Sequence, residues 1–177
     1  MMLENFSENF VNLKTKDKAT LFVVEDKTQL SLSDLSRLEE IFNQPDCHKM
    51  FEPKFINKHF EQENIINFIN WAKKNDNYYL FLVRNKRMEI VGGIDLQIKS
   101  YKKASIGFWQ DERVPGYIIS GLSFLLPIVD NLSFSILDSY TELSNTKAMK
   151  VLSRAGFIEK GIVEGKTKGK LVRFIRP

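Results

Sequence analysis

The stretch Asn145–Phe157, NTKAMKVLSRAGF, decides how this chain is read. Asn145 stands where a helix N-cap belongs, and Ala148, Val151, Leu152 and Ala155 recur at helical spacing. Gly156 falls where a left-handed residue ends a helix, so the chain leaves directly into a strand at Phe157. The segment is a short capped helix with one apolar stripe, and it needs a sheet to lie on.

Upstream of it, Leu21–Val24 reads as a first strand. Ser33 is placed to cap a helix bearing Leu35, Leu38, Ile41 and Phe42, which Pro45 ends. A second helix over Glu61–Lys74 carries Ile65, Ile66, Phe68, Ile69 and Ala72. The period then changes. Tyr78–Arg84, Met88–Ile98 and Ala104–Gln110 are dense in strand formers and joined by short polar turns, the signature of an antiparallel meander. A helix from Gly116 to about Leu126 and a strand over Leu132–Thr141 follow. That connection is long enough for a crossover, so the strands ending at Gln110 and Thr141 can be parallel neighbours. Phe157–Glu164 and Lys170–Arg176 close the chain as a hairpin around Gly165–Gly169.

The 177 residues, 43% apolar and 27% charged, suit one globular domain over 1–177, and no repeat or Pro/Gly-rich linker divides them. Cys47 is the single cysteine, which excludes an internal disulfide and favours a reducing compartment. The acidic start MMLENFSENF lacks a basic n-region, and the longest apolar run, Ile118–Val129, is broken by Ser120, Gly121, Ser123 and Pro127. The expectation is a cytoplasmic protein without a membrane span. Net charge is +4 but uneven: Lys147–Pro177 sums to +7, leaving −3 for the rest. A basic C-terminal end suits phosphates, an acidic or ribosomal partner, or RNA, and equally a plain solvated surface. Cys47, His48 and His59 have no partners at metal-ligand spacing, so no metal site is expected. Gly92-Gly93 reads as a strand irregularity, and the aromatics Phe42, Phe51, Phe55, Phe60 and Trp71 as core in preference to an acceptor pocket.

The joint pattern Asn145-x-x-Ala148, Val151-Leu152, Arg154-Ala155-Gly156-Phe157 and then Gly161 resembles the C-terminal signature of the GCN5-related N-acetyltransferase (GNAT) family. The branch it most resembles acetylates protein N-termini, including those of ribosomal proteins. The resemblance runs from about Tyr78 to Arg176 and more loosely from Leu21. It implies a mixed α/β fold: a central, mostly antiparallel sheet of about six to seven strands, flanked by helices, with one splayed parallel pair. It also implies acetyl-CoA as cofactor, CoA as product and an amine-bearing acceptor, either a peptide N-terminus or a small molecule.

In that family the pantetheine arm lies where the two parallel strands part, and the pyrophosphate rests on the N-terminus of the next helix. Such a helix start is an anion site of unpaired amides and positive dipole. The matching stretch here is Ile106–Leu122, IGFWQDERVPGYIISGL. The resemblance therefore nominates Phe108, Trp109, Gln110, Arg113, Gly116, Tyr117, Ile118 and Asn145 as cofactor-binding residues. The loop departs from the family pattern: its first glycine is missing, it is about one residue short, and Pro115 stands where a donor amide is expected. Arg113 is the natural compensator, because a guanidinium grips phosphate in bidentate fashion.

Catalysis needs a neutral amine, donors for developing negative charge, and a proton for the departing thiolate. Backbone amides at the end of Ile106–Gln110 can supply the second. Relatives often carry Glu where this chain has Ser105, Ser at Ala148 and Tyr at Leu152, so acid and base are not marked at the usual places. Tyr140, Glu142 and Ser144, near the end of the second parallel strand, are the substitutes, although packing, first-turn charge and capping would also explain them. Weak base machinery favours an α-amino acceptor, because a group of pKa about 7.7–8.0 is about a tenth neutral at pH 7 whereas lysine at about 10.4 is hardly neutral at all. The alternatives are a GNAT-like binding module without catalysis and an RNA- or ribosome-associated protein.

Overall fold

The computed structural model describes residues 3–48, 59–132, 134–165 and 169–176. Phe51, Phe55, Ser133, Lys166, Lys168 and Pro177 lie outside the described residues, as does the side chain of His48. Eight strands form one sheet: β1 (Ser7–Val11), β2 (Lys18–Val23), β3 (Tyr78–Arg84), β4 (Ile90–Ser100), β5 (Lys103–Gln110), β6 (Ile136–Glu142), β7 (Ile158–Gly165) and β8 (Gly169–Arg176). Five helices accompany them: α1 (Leu32–Phe42), α2 (Pro45–His48), α3 (Gln62–Lys73), α4 (Tyr117–Asp130) and α5 (Thr146–Arg154). The spatial order is β1-β2-β3-β4-β5-β6-β8-β7, antiparallel throughout except between β5 and β6.

The sheet exceeds the expected six to seven strands by way of β1, SENFV, an edge strand that buries only Phe10. The helix cap also differs. Ser31, not Ser33, caps α1: its hydroxyl accepts from the Asp34 amide while the Asp34 carboxylate accepts from the Ser31 amide. Pro45 opens α2, where its missing N–H costs nothing. Helix α4 runs one turn past Leu126, through Pro127, because Val129 is still buried.

Strand alternation divides the core into two. One cluster joins Val83, Ile94, Leu96, Ala104, Ile106 and Leu137 to α4 and to Leu152 of α5. The other joins Leu80, Leu82, Ile90 and Trp109 to α1 and α3. Register slips at Val91, just before the glycine pair, and the Trp109 ring fills the space beside Gly93, where a Cβ would come within 2.4 Å of it. Gly156 adopts φ +86 after α5, as its place in the sequence requires.

Candidate active site

Strands β5 and β6 pair over three rungs, Lys103↔Ile136, Ala104↔Leu137 and Ser105↔Asp138, and then part. Each keeps its outer partner: β5 follows β4 to Gly92↔Gln110, and β6 follows β8 to Glu142↔Leu171. The Ile136 amide donates to the Lys102 carbonyl at 3.1 Å, which fixes the parity of both edges. Backbone groups of Ile106, Phe108 and Gln110 on β5, and of Tyr140 and Glu142 on β6, therefore turn toward the gap. At the far end Asp111 donates to Val91 on β4 at 2.9 Å, as the opposite parity requires. Two carbonyls at the open end already have partners: the Gln110 carbonyl accepts from the Cys47 thiol at 3.3 Å, and the Glu142 carbonyl accepts from the Asn145 amide at 3.0 Å. What remains between the strands is a pair of facing edges able to hydrogen-bond an extended, amide-bearing chain.

A cavity of about 470 Å³ occupies this gap. Its walls come from both faces of the sheet: Ser139, Thr141 and Leu152 on the α5 side, and Asp95, Tyr140 and Leu171 on the other. The start of α5 forms one end, Ser144 to Lys147, and Asp46 of α2 reaches it through an ion pair with Lys147 at 2.8 Å. Asn145 caps α5 by accepting from the Ala148 amide at 3.0 Å.

The residues expected from the sequence divide accordingly. Tyr140, Glu142, Ser144, Phe108 and Asn145 all line the cavity. The Tyr140 hydroxyl donates to Asp138 Oδ2 at 2.8 Å. Burial, then the Asp138 carboxylate, raises the phenol above its ordinary value, so it stays protonated. Gln110 offers its amide to the gap from the strand end. Trp109 turns the other way, its side chain packed edge-on against Phe42 at 4.8 Å. Tyr117 and Ile118 bury their side chains in the core and have only their amides to offer.

Gly116 is the N-cap of α4 at φ +97, with no side chain to cap the first turn, so the opening amides of the helix stay available. The left-handed conformation explains why glycine stands there. Arg113 is not free. Its guanidinium is bound by Asp111 at 3.0 Å and Glu40 at 3.1 Å, and those hydrogen bonds raise its already high pKa. Burial alone would push the Asp111 carboxyl up, but hydrogen bonds from Arg113 and Gln44 and the charge of Arg37 outweigh it and hold the group below its usual value.

Three features escaped the sequence reading. The first is the β1–β2 turn beside the α4 start, where Leu13 donates to the Ser120 hydroxyl at 2.9 Å and Lys14 runs past Gly116. The second is Asp138, almost wholly buried, with Lys103 at 2.9 Å and Arg173 at 3.5 Å. The third is Asp95 on β4, directly across from Gly107 on β5. Neither carboxylate has a local motif around it. Cys47 is a buried thiol, pushed up to about 12 by burial, and it serves as a hydrogen-bond donor.

The site is thus an eight-stranded sheet that opens between its one parallel pair, with an uncapped helix start following the first of those strands. The family model for the acetyltransferase (GNAT) domain matches residues 28–158. The chain belongs to the GNAT acetyltransferase family. Among solved structures, it is similar to the RimL ribosomal L7/L12 alpha-N-protein acetyltransferase in complex with coenzyme A (TM-score 0.72, 14% identity, 96% of this chain and 97% of that one). It is also similar to the ribosomal-protein-S5-alanine acetyltransferase from Vibrio fischeri (TM-score 0.69, 15% identity, 97% and 96% covered). The microcin C7 self-immunity acetyltransferase MccE, in complex with acetyl-CoA and AMP, matches with TM-score 0.68 and 17% identity over 89% of this chain and 91% of that one. At these identities the likeness is one of fold. A sequence search of curated proteins gives no match. No helix among the described residues is long and apolar enough to cross a membrane.

Proposed function

We propose that this protein is an acetyl-CoA-dependent N-acetyltransferase that moves an acetyl group to a primary amine by direct attack within a ternary complex. The observation that carries this reading is the parting of β5 and β6 beyond Ser105↔Asp138 in a chain of the acetyltransferase family. The residues present fit the cofactor's arm: the facing edges at Phe108 and Tyr140 suit its amides, and a cavity of about 470 Å³ lies within the usual range for small-molecule sites. The amides of Tyr117 and Ile118, at the start of α4, are the groups to hold its phosphates. Bound there, acetyl-CoA supplies an activated acyl thioester. Phe108 and Gln110 aim amides into the gap where negative charge develops, which is where fixed donors act most strongly. Tyr140, protonated and hydrogen-bonded to Asp138 on the cavity wall, is the candidate proton donor, with Glu142 and Ser144 as the adjoining polar groups.

The favoured acceptor is an α-amino group, of a peptide N-terminus or a small molecule. Its pKa of about 7.7–8.0 leaves a useful neutral fraction at pH 7 without strong assistance. The names of the ribosomal-protein acetyltransferases among the structural neighbours agree with a peptide N-terminus. A ribosomal or acidic partner would meet the basic C-terminal end, and the cytoplasm is the compartment that fits such a role.

A second reading, binding without turnover, draws on Pro115 and on the engagement of Arg113 by Asp111 and Glu40. One measurement separates them. Saturating acetyl-CoA raises Tm under both, because a ligand selective for the folded state adds RT ln(1 + [L]/Kd) to stability. Release of free thiol on adding amines occurs only under the first. Thiol release with lysine side chains in preference to N-terminal peptides would overturn the α-amino assignment.

A further inference from the structure

Asp95 sits on β4 directly across from Gly107 on β5. A Cβ at Gly107 would come within 2.5 Å of Asp95 Oδ1, so the glycine is what lets the carboxylate lie over β5. Gly107 is two residues beyond Ser105, the last residue of β5 paired to β6, and both Gly107 and Asp95 line the cavity in the gap. Alternation puts Asp95 on the face of Trp109, away from α4 and α5, and puts Tyr140 on that same face of β6. Unlike Asp138, Asp111 and Asp46, each held by a cation, Asp95 has no ion pair among the described residues.

We propose that Asp95 is the proton acceptor of the transfer, supplied by the strand beside the one where relatives carry their carboxylate. This rests on the reading of the protein as an acetyltransferase. The neutral amine nitrogen bonds to the thioester carbonyl carbon as the C–S bond breaks. The nitrogen gives one proton to the Asp95 carboxylate, which returns it to solvent, and the departing thiolate takes one from solvent or Tyr140. Burial pushes the Asp95 carboxyl up to about 6, offset only slightly by its own backbone amide and by Lys99 on the same strand. Tyr78 faces it from β3, Tyr140 and Glu142 from β6, and the Asp46–Lys147 pair from the helices at the cavity. A carboxylate titrating near 6 is a better base than an exposed aspartate and is still ionised at neutral pH.

The test is Asp95→Asn in the full chain, with glycinamide as the α-amino acceptor and thiol release as the signal. CoA affinity is expected to stay within about twofold, since asparagine keeps the size and shape of the side chain that lines the cavity. With the base gone, kcat/KM should fall by about 10²- to 10⁴-fold. The unmodified chain should show two proton-dependent steps, one near 6 from Asp95 and one from the amine, and the variant only the second. A loss below about threefold, or a pH profile that keeps the step near 6, would overturn the assignment, as would a CoA-binding wild type that releases no thiol with glycinamide. Failure of the unmodified chain to bind CoA would instead defeat the acetyltransferase reading. As a check that needs no turnover, the variant should melt at a higher temperature than the wild type at pH 8 and at the same temperature near pH 4. Equal melting at both would show that Asp95 carries no raised pKa.

Discussion

Ser105 and Asp138 are the last residues paired between β5 and β6, and the sheet opens from that rung. The rung is pinned. Asp138 holds Lys103 at 2.9 Å, Arg173 at 3.5 Å and the Tyr140 hydroxyl at 2.8 Å, so β5, β6 and β8 are tied together just where the gap begins. Removing the buried carboxylate would leave Arg173 and half-exposed Lys103 without their counter-charge. Asp138→Ala should therefore cost about 3 kcal/mol, or roughly 6–12 °C in Tm for a domain of this size. Tyr140→Phe removes one hydrogen bond and should cost about 1 kcal/mol. Thermal melts of the two variants check both values, and equal effects would show that Asp138 is not the anchor.

The stability of Asp95→Asn should depend on pH in a defined direction. The folded-state value of about 6 lies above the ordinary 3.8, so the native state binds this proton more tightly than the unfolded chain does. Ionised Asp95 thus costs nothing below pH 4, and its full cost is present above pH 6. That cost is at most about 3 kcal/mol, at 1.36 kcal/mol per unit of pKa difference. Asparagine, never charged, should remove it, so denaturant titrations of wild type and variant should diverge as pH rises from 4 to 7. A residue that destabilises the fold at working pH is the pattern expected of a functional group.

Much of the frame was legible because it rests on local chemistry. The α5 cap at Asn145, the break at Gly156 and the apolar stripes of α1 and α3 depend only on neighbours within a few residues. The crossover from β5 to β6 followed from connection length and strand period. Strand β1 was not legible: its exposed Ser7, Glu8 and Asn9 give no alternation strong enough to read, and its strand character comes from pairing with β2. The positions of Phe108 on β5, Gly116 at the α4 N-cap and Asn145 at the α5 N-cap were legible, because the local backbone sets them. The site was not legible where distant side chains decide. Arg113 is claimed by Glu40, 73 residues earlier, and Asp95 acquires its setting from a glycine on the next strand.

Asn145 serves the fold as well as the cavity wall. Asn145→Ala removes the acceptor for the Ala148 amide, and loss of such a cap costs about 1 kcal/mol. The expected outcome is a Tm lower by about 2–4 °C with the helix content unchanged by circular dichroism. A loss of CoA affinity beyond what this destabilisation explains would place the residue in direct contact with the cofactor.

Gly116 offers the sharpest probe of the phosphate site. At φ +97 any side chain is strained by about 1–2 kcal/mol, and a Cβ would lie 3.1 Å from that of Lys14. Gly116→Glu adds a negative charge at the helix start on top of that strain. The fold should survive, and CoA affinity should fall at least about 10-fold, since a hydrogen bond to a charged group is worth about 1.5–3 kcal/mol. Unchanged affinity in a folded variant would remove the α4 start from the cofactor site.

The most direct measurement is a crystal structure of the full chain grown with CoA. The pantetheine arm is expected between the backbone of Phe108 and that of Tyr140, with the diphosphate against the amides of Tyr117 and Ile118. CoA bound elsewhere on the protein, or β5 and β6 found paired past Ser105 and Asp138 with the gap closed, would contradict the account.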